Sequence, residues 1–199
     1  MLTTALLIAP SLRAAAALAD TPDAVAPLAV GATAPTRVLS AAAGPVDLGA
    51  VIAHKPTILV FYRAHWCSLG TRELSYLRKS AGIFQSLGYQ IVAVSTDTPE
   101  SLRSDADAKK TPVTLLSDRS LTLASDYGIA FRATGKVARE YTQKGIELPA
   151  IPGEPGSLGL LVPTVFVVDE NGIIRWVYSN VSKNPSSTEL LNAAVRART

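Results

Sequence analysis

Apolar residues along the chain fall into two kinds of run. Three are continuous, short and rich in β-branched or aromatic side chains: Ile58 to Tyr62, Ile91 to Val94 and Val165 to Val168. Runs of this length predict strands covered on both faces. Between the first two, Leu74, Leu77, Ala81, Phe84 and Leu87 recur at helical spacing, and Gly88 follows as a stop. That pattern predicts a helix and hence a β-α-β unit. Thr98-Pro99 then reads as an N-cap and first helical residue, opening a polar helix to about Lys110.

Further along, "VTLLSD" predicts a short strand and "RSLTLASDYG" a short helix ended by Gly128. In "VPTVFVVDENGIIRWVY" two apolar runs meet around Asn171-Gly172, the strongest local hairpin signal in the chain. Ser186 to Glu189 has the form of a capping box, ahead of a last helix carrying Leu190, Leu191, Ala194 and Val195. Near the front, "TRVLSAAAGPVDLGAVI" predicts two short extended pieces around Gly44-Pro45. The stretch from Ala130 to Leu161 is less regular, with a helix expected near Lys136 to Lys144 and then a long loop carrying Pro149, Pro152 and Pro155. Loops of that length in compact domains are usually functional or mobile. A parallel pair extended by an antiparallel hairpin, with helices on both faces, is an α/β sandwich.

Composition narrows the class. The chain has 199 residues, 48% of them hydrophobic, enough for one domain with a real core and too few for two generous ones. The net charge of +3 is spread without a basic run, so no nucleic-acid partner is expected. The opening "MLTTALLIAPSLRAAAALA" has an apolar stretch and an Ala17-Leu18-Ala19 ending before Asp20, which predicts a signal peptide over residues 1–19 and export to the periplasm or beyond. Residues 20–35 then read as a linker and 36–199 as the domain. No other stretch approaches the ~20 apolar residues of a membrane span.

The one cysteine, Cys67, cannot form an internal disulfide, so in an oxidising compartment it is either buried and inert or reactive and used. It stands between a predicted strand and a predicted helix. Unpaired N–H groups and the positive end of the helix dipole favour an anion at such a place.

The stretch "FYRAHWCSLGTREL" resembles the active-site segment of the peroxiredoxin-like branch of the thioredoxin superfamily, the alkyl hydroperoxide reductase and thiol-specific antioxidant group, whose members commonly read FYRGxWCPxCxxEL. Phe61, Tyr62, Arg63, Trp66, Cys67, Glu73 and Leu74 match that pattern. "VGATAPTRVL", "LLSDRSLTLASDYGI" and "LLVPTVFVVDENGIIRWVY" resemble further collinear segments, so the similarity spans about residues 28 to 197. The resemblance implies a thioredoxin-like fold, a central mixed β-sheet flanked by helices, with Cys67 at the start of the first helix opposite a cis Pro163.

Where those relatives carry a second cysteine, this chain has Gly70. Peroxiredoxins proper use Thr-x-x-Cys, and in that register Gly70 occupies the peroxidatic position. What remains is one-cysteine chemistry: Cys67 as the catalytic group, Arg63, Trp66 and Pro163 bordering the substrate, and neither cofactor nor metal. The expected substrate is a peroxide or a disulfide, and the expected partner an external thiol reductant. Two other readings stand beside it, a monothiol disulfide exchanger and a binding module that has lost its chemistry.

The remaining candidates have plainer readings. His65, two residues from Cys67, could assist as a base or simply be solvated. His54 is expected on the surface, and Arg132, Arg139 and Lys144 on a solvated helix face. Asp118 and Asp169 suit caps or turns.

Overall fold

A computed structural model describes residues 18–104 and 112–198. In chain order its elements are β1 (Val38–Ala41), β2 (Gly44–Asp47), α1 (Leu48–Ile52), β3 (Thr57–Tyr62), α2 (Ser68–Ser86), β4 (Gln90–Ser95), α3 (Pro99–Ser104) and β5 (Val113–Ser117). Then follow α4 (Thr122–Asp126), β6 (Ala130–Arg132), α5 (Gly135–Gln143), β7 (Gly159–Leu161), β8 (Thr164–Val168), β9 (Ile174–Ser179) and α6 (Ser187–Arg196). Seven strands form one mixed sheet in the order β2-β1-β5-β4-β3-β8-β9. β3 runs parallel to β4 and antiparallel to β8, an interior strand beside the central β4. The expected α/β architecture, a mixed sheet between helices, is the one observed.

All six residues of β3 are buried because each face of the sheet carries its own core. Ile58, Val60 and Tyr62 point to the side of α2 and α6, where Leu74, Leu77, Ala81, Phe84 and Leu190 pack. Leu59 and Phe61 point to the opposite side, against Leu48, Leu121, Tyr127 and Phe166. Period-2 alternation thus persists in a strand that reads as uniformly apolar.

The local signals hold where they are strongest. Thr98 Oγ1 accepts from the Ser101 N–H at the start of α3. The Ser186–Glu189 capping box is formed in both directions ahead of α6. Gly88 has φ +83 just beyond α2. Asp169 accepts from the N–H groups of Asn171 and Ile173 in the β8–β9 turn. Asp118 does the same for Leu123 and Ala124 at the start of α4, and burial nevertheless raises its pKa to about 6. Residues 105–110 of the predicted polar helix lie outside the described residues, and so do residues 1–17 of the predicted leader.

Three details differ from expectation. The first hairpin turns at Ala42-Ala43, and Gly44 and Pro45 already belong to β2, with Pro45 opposite Ser40. β6 and β7 form a second, two-stranded sheet that periodicity could not reveal, since each has only three residues. Arg132 is in β6 rather than on a helix face, because α5 begins only at Gly135. Its guanidinium binds Glu154, Asp20 and the Leu18 carbonyl, which ties residues 18–20 to the domain. Just along that path the Ala26 carbonyl lies where a Cβ on Gly128 would be, at 2.2 Å.

Candidate active site

β3 delivers the chain to its carboxyl edge at Tyr62, and α2 begins six residues later. The connection is a tight turn in which the Cys67 N–H donates to the Ala64 carbonyl at 3.0 Å. The Arg63 carbonyl accepts from both the Thr96 N–H and the Thr96 hydroxyl, which pins the turn to the end of β4. Cys67 is the N-cap of the 19-residue α2, and its side chain makes no capping bond. Its thiol is free and its exposure only 8%.

The other predicted site residues frame this turn in different ways. Arg63 points away along the sheet edge, its Nε donating to the Leu161 carbonyl at 3.4 Å and its Nη2 to the Val181 carbonyl at 3.5 Å. Trp66 packs on Tyr141 of α5, ring centroids 5.2 Å apart, and joins a satellite cluster built on Phe131, Leu148, Leu160 and Val162. That cluster folds the 149–161 loop onto the domain beside the turn.

Pro163 corrects an expectation. Its peptide bond is trans, since no cis bond occurs among the described residues. The trans form is favoured for any X-Pro bond by about 0.5–1 kcal/mol. Pro163 lines a small cavity of about 10 Å³ with Gly70, Glu73, Thr164, Lys183 and Asn184, and Cys67 is not among its lining residues. The residue facing the proline is therefore the glycine of the altered motif. Such a volume admits about one water.

Two features of that cavity follow from packing alone. A Cβ on Gly70 would fall 2.9 Å from both Cβ and Cδ2 of Tyr62, so the tyrosine ring has taken the space of a side chain. Glu73, one turn further, is buried with Oε1 lacking a hydrogen-bond partner. Desolvation pushes its pKa up to about 7.

On the outer side of the turn, the imidazole of His65 meets Asp97. His65 Nδ1 lies 2.5 Å from Asp97 Oδ1, and the His65 N–H donates to both carboxylate oxygens at 3.1 Å. Ser95 Oγ donates to Asp97 Oδ2 at 2.8 Å. The His65 ring is 69% exposed and the Asp97 carboxylate only 3%. Sequence reasoning missed Asp97. Its one signal was position, at the carboxyl end of β4 beside β3, where open α/β sheets place their functional groups.

A mixed sheet with a thiol held at the start of the helix after an interior strand defines a thioredoxin-like protein of the thiol-redox class. Solved structures bear out the fold. Peroxidoxin BcpB from Mycobacterium tuberculosis aligns with TM-score 0.65 at 23% identity, covering 85% of this chain and 97% of that one. The yeast mitochondrial 1-Cys peroxiredoxin aligns with TM-score 0.64 at 15% identity, covering 86% and 76%. The chain belongs to the AhpC/TSA family, whose model matches residues 30–177. It is 28% identical over 151 residues to the chloroplastic peroxiredoxin Q of Sedum lineare, covering 75% of this chain and 68% of that protein. Its 27% identity to the peroxiredoxin Q of Suaeda salsa extends over 126 residues and spans about half, 48%, of that protein.

Proposed function

We propose that this protein is a thiol-dependent peroxidase that works through Cys67 alone. The observation that carries the reading is the single cysteine placed as N-cap of α2, in the turn that leaves the carboxyl end of β3, in a chain of the AhpC/TSA family. The alternative position, residue 70, is closed by Tyr62, so the chemistry falls to residue 67. Relatives named peroxiredoxin support the same reading.

In this mechanism the Cys67 thiolate attacks one oxygen of a peroxide and the O–O bond breaks. The leaving alkoxide or hydroxide takes a proton, and Cys67 becomes a sulfenic acid. No second cysteine exists to resolve it. An external thiol therefore attacks the sulfur, expels water and leaves a mixed disulfide, and a second thiol releases the disulfide and restores Cys67. Trp66 borders the approach, and Pro163 closes the floor beneath the first turn of α2.

The decisive measurement is peroxide decay with and without dithiothreitol, with Cys67→Ser as control. Thiol-dependent decay that vanishes in the variant is expected. Mixed disulfides formed without peroxide loss would favour the exchanger. Labelling of Cys67 by iodoacetamide no faster than a model thiol at pH 7 would leave only the binding module.

We also infer export by a signal peptide, on the strength of the apolar opening and the Ala17-Leu18-Ala19 ending. Cleavage there would remove the Ala19 bridge to Phe131 and keep the Asp20 pair with Arg132. Intact mass of the mature product checks this, with a species starting at Met1 as the refuting result.

A further inference from the structure

Residues 180–185 form a strap that holds the cysteine turn from both ends. Ahead of Cys67, Arg63 Nη2 donates to the Val181 carbonyl at 3.5 Å, and beyond it Asn184 Nδ2 donates to the Leu69 carbonyl at 3.0 Å. The strap starts where the Asn180 N–H donates to the Pro163 carbonyl at 3.2 Å. Asn180 Oδ1 then accepts from the N–H groups of Ser182 and Lys183, so the strap keeps a turn of its own. The three bonds to its surroundings are of ordinary or long length, and exchanging such bonds for bonds to water changes a free energy only modestly.

Lys183, Asn184 and Pro185 of the strap also wall the small cavity against Pro163. Glu73 lines the same cavity, 4% exposed, and its Oε1 accepts no hydrogen bond among the described residues. About one water fits there, too little to hydrate a carboxylate. The titratable groups that face Glu73 are Tyr62 from β3, Tyr178 from β9 and Lys183 from the strap, and Tyr76 stands one turn further along α2. Lys183 is the one cation of the lining, and it is an exposed residue. Under the strap, a charge on Glu73 would have neither bulk water nor a counter-ion. Lifting the strap supplies the water.

We propose that this strap is a pH-operated cover: it stays down while Glu73 holds its proton and lifts from α2 when Glu73 ionises, freeing the turn on both sides of Cys67. The sign follows from linkage. Under the closed strap burial keeps the proton on Glu73 up to about pH 7, whereas in water the same carboxyl releases it at 4.5. Raising the pH between those values therefore favours the open strap. The cover does not depend on what Cys67 does chemically. It sets when reagents reach a sulfur that is only 8% exposed in the closed form.

Hydrogen exchange of the Asn180 N–H in the full chain tests this, because that amide is bonded only while the strap is down. Corrected for the intrinsic pH dependence of exchange, its protection should fall at least tenfold between pH 5 and pH 8 in the wild type. In Glu73→Gln it should match the wild type at pH 5 and stay flat. At each pH the Asn180 amide should also exchange at least tenfold faster than the core amides of β3, the mark of a local opening. Alkylation of Cys67 by iodoacetamide should run equally in wild type and Glu73→Gln at pH 5 and several-fold faster in the wild type at pH 8, a ratio in which the thiol's own ionisation cancels. Asn184→Ala, which cuts one tether, should speed alkylation already at pH 5. PH-independent protection of Asn180 in the wild type, the same pH dependence in Glu73→Gln, or exchange at the rate of the β3 core overturns the inference. So does equal alkylation of wild type and Glu73→Gln at pH 8. None of these results bears on whether Cys67 reduces peroxides, which the dithiothreitol assay decides by itself.

Discussion

Gly70 on α2 lies against the ring of Tyr62 at the end of β3, so close that a Cβ on the glycine would meet two tyrosine carbons at 2.9 Å. Helix and strand have closed over the position where relatives keep a thiol. Restoring the cysteine by Gly70→Cys should therefore not restore a peroxidatic site. The tyrosine would have to shift, and overpacking of this kind costs about 1–3 kcal/mol. Urea midpoints of Gly70→Ala and Gly70→Cys, both lower than wild type, check the packing. A gain of peroxide turnover in Gly70→Cys would contradict it.

Glu73 makes stability depend on pH. Its pKa rises from an ordinary 4.5 to about 7 in the fold because burial disfavours the charge. The folded state holds a proton that the unfolded chain has released across that window. Its contribution to stability is thus greatest below about pH 4.5 and falls as pH rises to 7. A shift of this size corresponds to roughly 3 kcal/mol. Glu73→Gln, which cannot ionise, should match the wild type near pH 5 and exceed it at pH 8. Parallel stability curves for the two proteins would sink the argument.

Trp66 and Tyr141 form the clasp between the cysteine turn and α5. Removing either ring by Trp66→Ala or Tyr141→Ala should loosen the turn and open Cys67, with alkylation rising roughly tenfold under native conditions. The same labelling rate in both variants as in the wild type would show that the clasp does not shield the sulfur.

Tyr127 is buried between Phe61 and Phe166, with ring centroids 4.9 Å from each. Its hydroxyl has no hydrogen-bond partner, and burial raises its pKa. Leaving a buried hydroxyl unpaired costs about 1–3 kcal/mol. Tyr127→Phe should therefore be neutral or more stable, by up to about 1 kcal/mol, in thermal unfolding. A marked loss of Tm would mean that the hydroxyl is satisfied.

Much of the architecture is written locally. The strand runs of β3, β4 and β8, the α2 stripe from Leu74 to Phe84, the Asn171-Gly172 turn and the Ser186 capping box depend on residues a few positions apart. Periodicity and turn chemistry therefore set them before any packing occurs. The same holds for Cys67 at the start of α2, which needs only a strand run before it and a helical stripe after it.

What the tertiary structure alone decided lies between residues far apart in the chain. His65 and Asp97 are 32 positions apart and meet because β3 and β4 are parallel neighbours that end at the same edge. Arg132 reaches Asp20 across 112 positions. The burial of Glu73, the closure of Gly70 by Tyr62 and the three-residue strands β6 and β7 likewise exist only once helix, sheet and loop are packed. Local pattern fixes where a backbone turns and which side faces inward. Which charged and reactive groups then share one small volume depends on strand order, and strand order is set by the joint burial of both sheet faces.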